Sequence, residues 1–298
     1  MTRGGWWLAT TLGAGLVGSA AAAPVYLPPS GFFLAPSDHS RTLAGPTGPD
    51  ANWNIAQWGI PQDLPPFDAH GVAQNRWARV AWLGGGRFEL MQDGGDRPCD
   101  KTYPSGRTLP AEFDLFAQPD NGNYPGFRQA GMANRQRLSD ITHIDAGLTL
   151  LVRQAALEDD ACRVTRVGFG LSVVVTDMAA GQTFFYQLRL AWFEAGARDG
   201  PRPNWFFTGT NVQAGNRRQY GFGDNVTFYG EDWARAGRPA AFRLDLLPRL
   251  TALIGEGTRF AMDQDLRNWR LTGMYIGQAV YGHMRDDGVW SGLSIEAE

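Results

Sequence analysis

The segment Phe185-Tyr186-Gln187-Leu188-Arg189-Leu190-Ala191-Trp192 alternates as a strand does, yet carries two polar side chains at its centre. With a period of two, Gln187, Arg189, Ala191 and Phe193 share one face, and Tyr186, Leu188, Leu190 and Trp192 share the other. The second set reads as core. Gln187 and Arg189 must then face water or a polar cleft, because burying them unpaired costs several kcal/mol. From parity alone the face is either a cleft that meets a ligand or the plain solvated side of a sheet.

Other catalytic chemistries find little support. There is no Gly-x-Ser-x-Gly turn, and Ser139, Ser172 and Ser291 have no base nearby in sequence. Gly84-Gly85-Gly86 lacks the following Lys-Ser/Thr of a phosphate cradle and reads as a turn. His39, His70, His143 and His283 are scattered without metal-ligand spacing, and two cysteines cannot build a cysteine-rich zinc site, so no metal and no other cofactor is expected. The acidic pairs Asp159-Asp160, Glu231-Asp232 and Asp286-Asp287 read as turns, suited to solvated loops better than to calcium. A formal charge of −3 gives no electrostatic reason to expect nucleic acid as a partner.

The elements that must position Gln187 and Arg189 are strands. In 298 residues there are 38 glycines and 18 prolines, with 43% hydrophobic residues, which excludes a disordered chain and favours many short strands over a helical bundle. Residues 1–23 read as a signal peptide: Arg3, then the apolar run Trp6–Gly18, then Ala21-Ala22-Ala23 before Pro24. The mature chain then works in the periplasm or outside the cell, with no membrane span after removal of the leader. An oxidising compartment favours a disulfide between Cys99 and Cys162, which stabilises by roughly 4 kcal/mol through loop closure. Residues 24–68, rich in Pro, Gly, Ser and Asn, read as an extended arm lying over a domain that spans 69–298. Trp77–Leu83 and Arg87–Met91 read as a hairpin, and residues 93–139 as mostly loop apart from Phe113–Phe116. Further strands are expected at Gly147–Leu157, Arg163–Asp177, Gln182–Phe193, Trp205–Thr208, Asn225–Tyr229, Trp269–Tyr281 and Val289–Ile295. One helix stands out at Pro248–Ile254, with proline in its first turn and Gly255 after its end. The fold class is all-β: a two-sheet jelly-roll sandwich with one short helix and an extended N-terminal arm.

Over residues 165–296 the order of elements resembles the concanavalin-like jelly-roll glycosidases of the family-12 endoglucanase and xyloglucanase type. The resemblance rests on the Phe185–Trp192 strand, the loop Gly196–Trp205, the segment Phe242–Leu247 running into the helix, and Trp269–Ala279. In that family the first of these strands carries a nucleophilic Glu, and the strand after the helix carries the acid/base in a Gly-x-Glu pattern. The resemblance places Gln187 at the nucleophile, and Gln278, or Ala279 one residue on, at the acid/base. A retaining glycosidase needs two carboxyl groups about 5–5.5 Å apart, and glutamine can neither ionise nor supply the proton. The resemblance therefore implies a protein that grips an oligo- or polysaccharide without the usual catalytic pair. Arg189 stands where the family has an apolar residue and would favour an anionic or acyl-decorated polymer.

Sugars are held by flat aromatic faces together with amides and carboxylates. Trp53, Trp58 and Trp205 lie in Asn/Gln/Gly-rich surroundings and read as stacking surfaces, with ordinary packing as the alternative for each. Three other readings stay open. One is an active glycoside hydrolase using Glu112, Glu194 or Glu231. Another is a polysaccharide lyase drawing on Gln187, Arg189, Gln278, Tyr281 and His283. The last is a structural envelope protein whose polar strand face is merely exposed.

Overall fold

A computed structural model describes residues 23–36, 44–102, 106–119, 136–194, 205–211, 217–224 and 237–298. Residues 1–22 of the expected signal peptide, the expected strand at 225–229 and Glu231 lie outside the described residues. In chain order the strands begin with β1 (Ala23–Pro24), β2 (Phe32–Ala35), β3 (Trp53–Trp58), β4 (Val72–Gln74), β5 (Ala78–Gly84) and β6 (Arg87–Asp93). They continue with β7 (Asp100–Thr102), β8 (Thr108–Pro110), β9 (Glu112–Pro119), β10 (Ile144–Leu157), β11 (Arg166–Asp177) and β12 (Thr183–Glu194). Then come β13 (Trp205–Asn211), β14 (Arg217–Asp224), β15 (Pro239–Asp245), the helix α1 (Leu247–Glu256), β16 (Trp269–Tyr281) and β17 (Met284–Ala297). No helix among the described residues is long and apolar enough to cross a membrane.

Two sheets form a jelly-roll sandwich. One runs β15-β10-β17-β6-β5-β4, with β1 also paired to β17, and the other runs β13-β14-β12-β11-β16-β9-β3-β2. Between them lie Trp53, Phe88, Leu90, Phe169, Phe184, Tyr186, Trp269 and Trp290, each at most 1% exposed. Complete removal of such large apolar surfaces from water is the main force holding the sheets together. The helix follows β15 and buries Leu247, Leu250, Leu253 and Ile254 on one side, the i, i+3, i+6, i+7 stripe expected of a helix laid against a sheet.

Residues 24–68 are not an arm draped over a finished sandwich. Their strand β2 pairs in parallel with β3, and β3 pairs antiparallel with β9, so they complete one edge of the eight-stranded sheet. The alternation in Trp53-Asn54-Ile55-Ala56-Gln57-Trp58 was masked by the polar composition around it. The loop expected over residues 93–139 likewise contains β7, β8 and the eight-residue β9. Asp286 and Asp287, read above as a turn, lie within β17. Cys99 and Cys162 form a disulfide, with their Cα atoms 5.2 Å apart and a sequence separation of 63, tying the chain after β6 to the chain between β10 and β11.

Two bulges decide which side chains face outward. Phe169 pairs with Ala191 while Gly170 pairs with Arg189, so β12 carries one extra residue, Leu190. Leu190 and Ala191 both point into the core, and the parity beyond them is reversed. Trp192, expected in the core, therefore faces outward and Phe193 packs inward against Phe169. In β16 the extra residue is Thr272, between the pairs Val174–Gly273 and Val175–Leu271.

Candidate functional site

The outer face of the eight-stranded sheet reads as rows across neighbouring strands. Gln187 on β12, Ser172 on β11 and Tyr275 on β16 form one row. The next holds Arg189, Gly170, Gly277 and Phe116. A third holds Trp192, Gly168, Ala279, Asp114 and Trp58. The last holds Glu194, Arg166, Tyr281 and Glu112. In the two middle rows the central strands carry only glycine or alanine, and large or charged residues flank them.

The glycines let aromatic rings lie low over the backbone. A Cβ on Gly168 would sit 2.7 Å from Cζ3 of Trp192, and one on Gly277 would sit 2.7 Å from Cδ1 of Phe116. Phe116, Trp58 and Tyr275 form an edge-to-face cluster with centroid separations of 5.0–6.4 Å. Trp58 is 38% exposed at the rim of this cluster. The guanidinium carbons of Arg189 and Arg166 stand 4.3 Å and 5.1 Å from the Trp192 ring centroid, within cation–π range.

Nε2 of Gln187 donates to Oη of Tyr275 at 2.7 Å across Ser172. Tyr275 is only 7% exposed, and burial pushes its phenol above the usual tyrosine range, so it stays neutral at physiological pH. The residue that the register sets opposite Gln187 is thus a phenol rather than a carboxyl group.

At the β9 side of the face two carboxyl groups stand in contrasting surroundings. Asp114 is 6% exposed and its Oδ1 has no hydrogen-bond partner among the described residues. Burial, reinforced by the nearby charge of Glu112, raises its pKa well above the carboxylate range, so it holds its proton. Glu112 is exposed, and its Oε1 accepts the hydroxyl of Tyr281. The guanidinium carbon of Arg166 lies 3.8 Å from the Tyr281 ring centroid.

Of the residues singled out by sequence, Gln187, Arg189, Trp58, Glu112, Glu194 and Tyr281 meet on this face. Gln278 does not. It points between the sheets, fully buried, and its Nε2 donates to Leu90 O and to Asp286 Oδ1, both at 2.7 Å. Ala279, the neighbouring register, does face outward, but offers only a methyl group. Trp53 is no stacking surface either. It is 0% exposed, with its indole N–H given to Leu27 O at 2.9 Å; five residues separate it from Trp58, so the two face opposite ways. Trp205 opens β13 and pairs with Gly223, the residue in register with Gln187; its side chain lies outside the described residues. His283 sits in the turn between β16 and β17, held by Asp159 at 2.6 Å and Arg97 O at 2.8 Å. The residues offered for a lyase are therefore split among three environments. The group Cys99, Cys162 and His283 has metal-ligand residue types, but its two sulfurs are bonded to each other.

Sequence reasoning missed Tyr275, Asp114, Trp192 and Arg166. A signal for Tyr275 was present: Gly273-Met274-Tyr275 has the Gly-x-polar spacing, three residues before Gln278. The alternation Glu112-Phe113-Asp114-Leu115-Phe116 marks Asp114 as sharing a face with Glu112.

No protein-family model and no curated protein matches the sequence. Among solved structures the chain is similar to the xyloglucanase domain of a type three effector from Sinorhizobium fredii in complex with cellobiose (TM-score 0.42, 8% identity, covering 77% of this chain and 92% of that one). It is similar to a family 11 xylanase from Neocallimastix patriciarum (TM-score 0.44, 9% identity, 84% and 98%). It is also similar to a family 12 xyloglucanase from Bacillus licheniformis (TM-score 0.47, 10% identity, 82% and 99%), a likeness at which the functional argument rests on the sheet face itself.

Proposed function

We propose that this is an exported protein that binds an oligo- or polysaccharide on the outer face of the eight-stranded sheet, without a carboxylate pair at Gln187 and the residue opposite. The observation that carries the reading is the Gln187–Tyr275 hydrogen bond at 2.7 Å, set beside the Trp58–Phe116–Tyr275 aromatic cluster. An amide and a phenol supply donors and acceptors for sugar hydroxyls, and an exposed indole supplies a flat apolar surface for a pyranose ring. Neither Gln187 nor a neutral Tyr275 can attack or ionise as double displacement requires. Arg189, on the same face, suits a polymer bearing carboxylate or acyl groups. The signal-like sequence of residues 1–23 and the Cys99–Cys162 disulfide are what support export.

The test is native electrophoresis of the mature protein in gels containing soluble glucans, xyloglucan or uronate polymers. Retarded mobility on at least one polymer is expected, and Trp58→Ala should abolish it. Mobility unchanged on every polymer overturns the proposal and leaves the structural envelope reading.

A further inference from the structure

The outer face holds a second constellation that the Gln187 seat does not use. Glu112 and Asp114 sit two residues apart on β9 and point to the same side. Along a strand that spacing sets their Cα atoms about 6.8 Å apart. Side chains rising side by side from that spacing can hold their carboxyl groups at the about 6.5–9.5 Å of glycosidases that invert the anomeric carbon, wider than the about 5–5.5 Å of those that retain it. The two groups are also set up differently. Asp114 is 6% exposed, with an Oδ1 that no described residue satisfies, in register with Trp58 on one side and Ala279 on the other. Glu112 is exposed to water and oriented by the Tyr281 hydroxyl, which Arg166 backs from behind. A buried unpartnered acid in a saccharide-binding face is costly unless something completes it.

We infer that Asp114 and Glu112 are the general acid and general base of an inverting glycosidic-bond hydrolysis on this face. The inference rests on the saccharide reading above. Asp114 gives its proton to the glycosidic oxygen as the bond from that oxygen to C1 breaks, and the bonding electron pair leaves with the oxygen. A water molecule attacks C1 from the opposite side and gives up a proton to the Glu112 carboxylate. One water is added across the bond, and the proton gained by Glu112 returns to Asp114 through solvent. A buried acid beside a solvent-exposed carboxyl group is the contrast of surroundings that acid and base roles need on one face. The titratable groups facing Asp114 are Glu112 on its own strand and Tyr275 and Tyr281 on β16, while β3 offers Trp58. Raised by burial, Asp114 moves the alkaline limb of the rate profile above the ordinary carboxylate range.

The experiment incubates the mature protein with each polymer that retards it and reads reducing ends, followed by proton NMR of the first-formed hemiacetal. Turnover is expected with inverted anomeric configuration. Asp114→Asn and Glu112→Gln should each lower turnover by roughly 10²–10⁴-fold with gel retardation and thermal midpoint kept. Glu112 is exposed, so its variant tests the inference even if Asp114→Asn fails to fold. Retardation without turnover, retained configuration, or full turnover by folded Glu112→Gln each overturns the catalytic assignment while leaving saccharide binding intact. Failure of retardation and turnover together overturns both.

Discussion

Gln278 and Asp286 meet in the interior between the two sheets, the amide Nε2 donating to the carboxyl Oδ1 at 2.7 Å with both residues fully buried. Gln278 also donates to Leu90 O, and Asp286 Oδ1 also accepts the backbone N–H of Gln92 at 2.8 Å. This knot links β16 of one sheet to β6 and β17 of the other. Its role is cohesion, and Gln278→Leu should cost about 1–3 kcal/mol by leaving a buried acceptor underused. Gln278→Glu should unfold at a lower temperature still at neutral pH, because it sets a second carboxyl beside Asp286. Thermal unfolding measures both, and loss of saccharide retention by a stable Gln278→Leu protein would contradict the assignment.

Trp53 and Trp58 make a controlled pair, since they share a strand and differ in side. Trp53 is enclosed by the core, so Trp53→Ala should cost about 3–5 kcal/mol. Trp58 is 38% exposed, so Trp58→Ala should shift the thermal midpoint far less yet remove retention in polymer gels. Equal effects of the two substitutions on stability would contradict the register of β3.

How much of this was legible in the sequence follows the period of two. The strands at β10, β11, β12 and β16, the helix α1 and the disulfide partners were readable because apolar alternation, proline placement and a lone pair of cysteines are local signals. The same rule puts Gln187 and Arg189 on one face of β12, as the register has them. The rule fails where one inserted residue changes sides: Leu190 turns Trp192 outward, and no local property of Arg189-Leu190-Ala191 announces a bulge. Gln278 was misplaced for a different reason. A polar residue on a buried strand looks like a site until its partner is known, and Asp286 lies on the opposing sheet. The strands β2 and β3 were hidden because Pro, Asn and Gly around them carry the composition of loops.

The glycine rows offer a sharper probe of the face. A Cβ at Gly277 would lie 2.1 Å from the backbone oxygen of Leu115, which cannot move without breaking the β9–β16 ladder. Gly277→Ala should therefore destabilise by several kcal/mol, in line with forced overpacking. At Gly168 the clash is with the Trp192 ring, 2.7 and 2.8 Å away. Gly168→Ala should keep the fold but lift that ring, changing its fluorescence more than the midpoint. A midpoint loss equal to that of Gly277→Ala would mean Trp192 is held by the backbone rather than by the flanking arginines.

Stability against pH has a shape set by which groups gain and which lose protons on folding. Burial raises Asp286 and Asp114 well above the ordinary 3.8, so the folded protein binds more protons than the unfolded one above that pH. Each such group makes stability fall as pH rises, by at most about 1.4 kcal/mol per unit, until its folded pKa is passed. His143, raised by its bond to Asp245, acts in the same direction above its ordinary 6.5. Asp68 and Asp265 are lowered, the first by the backbone N–H groups of Val72 and His70, the second by Arg267, so their contributions disappear as pH falls below 3.8. The thermal midpoint should therefore peak in mildly acidic solution, between about pH 4 and 6.5. Asp286→Asn keeps the Oδ1 acceptor in place and removes the titration, so it should gain stability over the native chain at pH 7 and lose that gain near pH 4. A native midpoint that climbs from pH 5 to pH 8, or an Asp286→Asn curve parallel to it, would mean that Asp286 is ionised inside the sandwich and held there by Arg97.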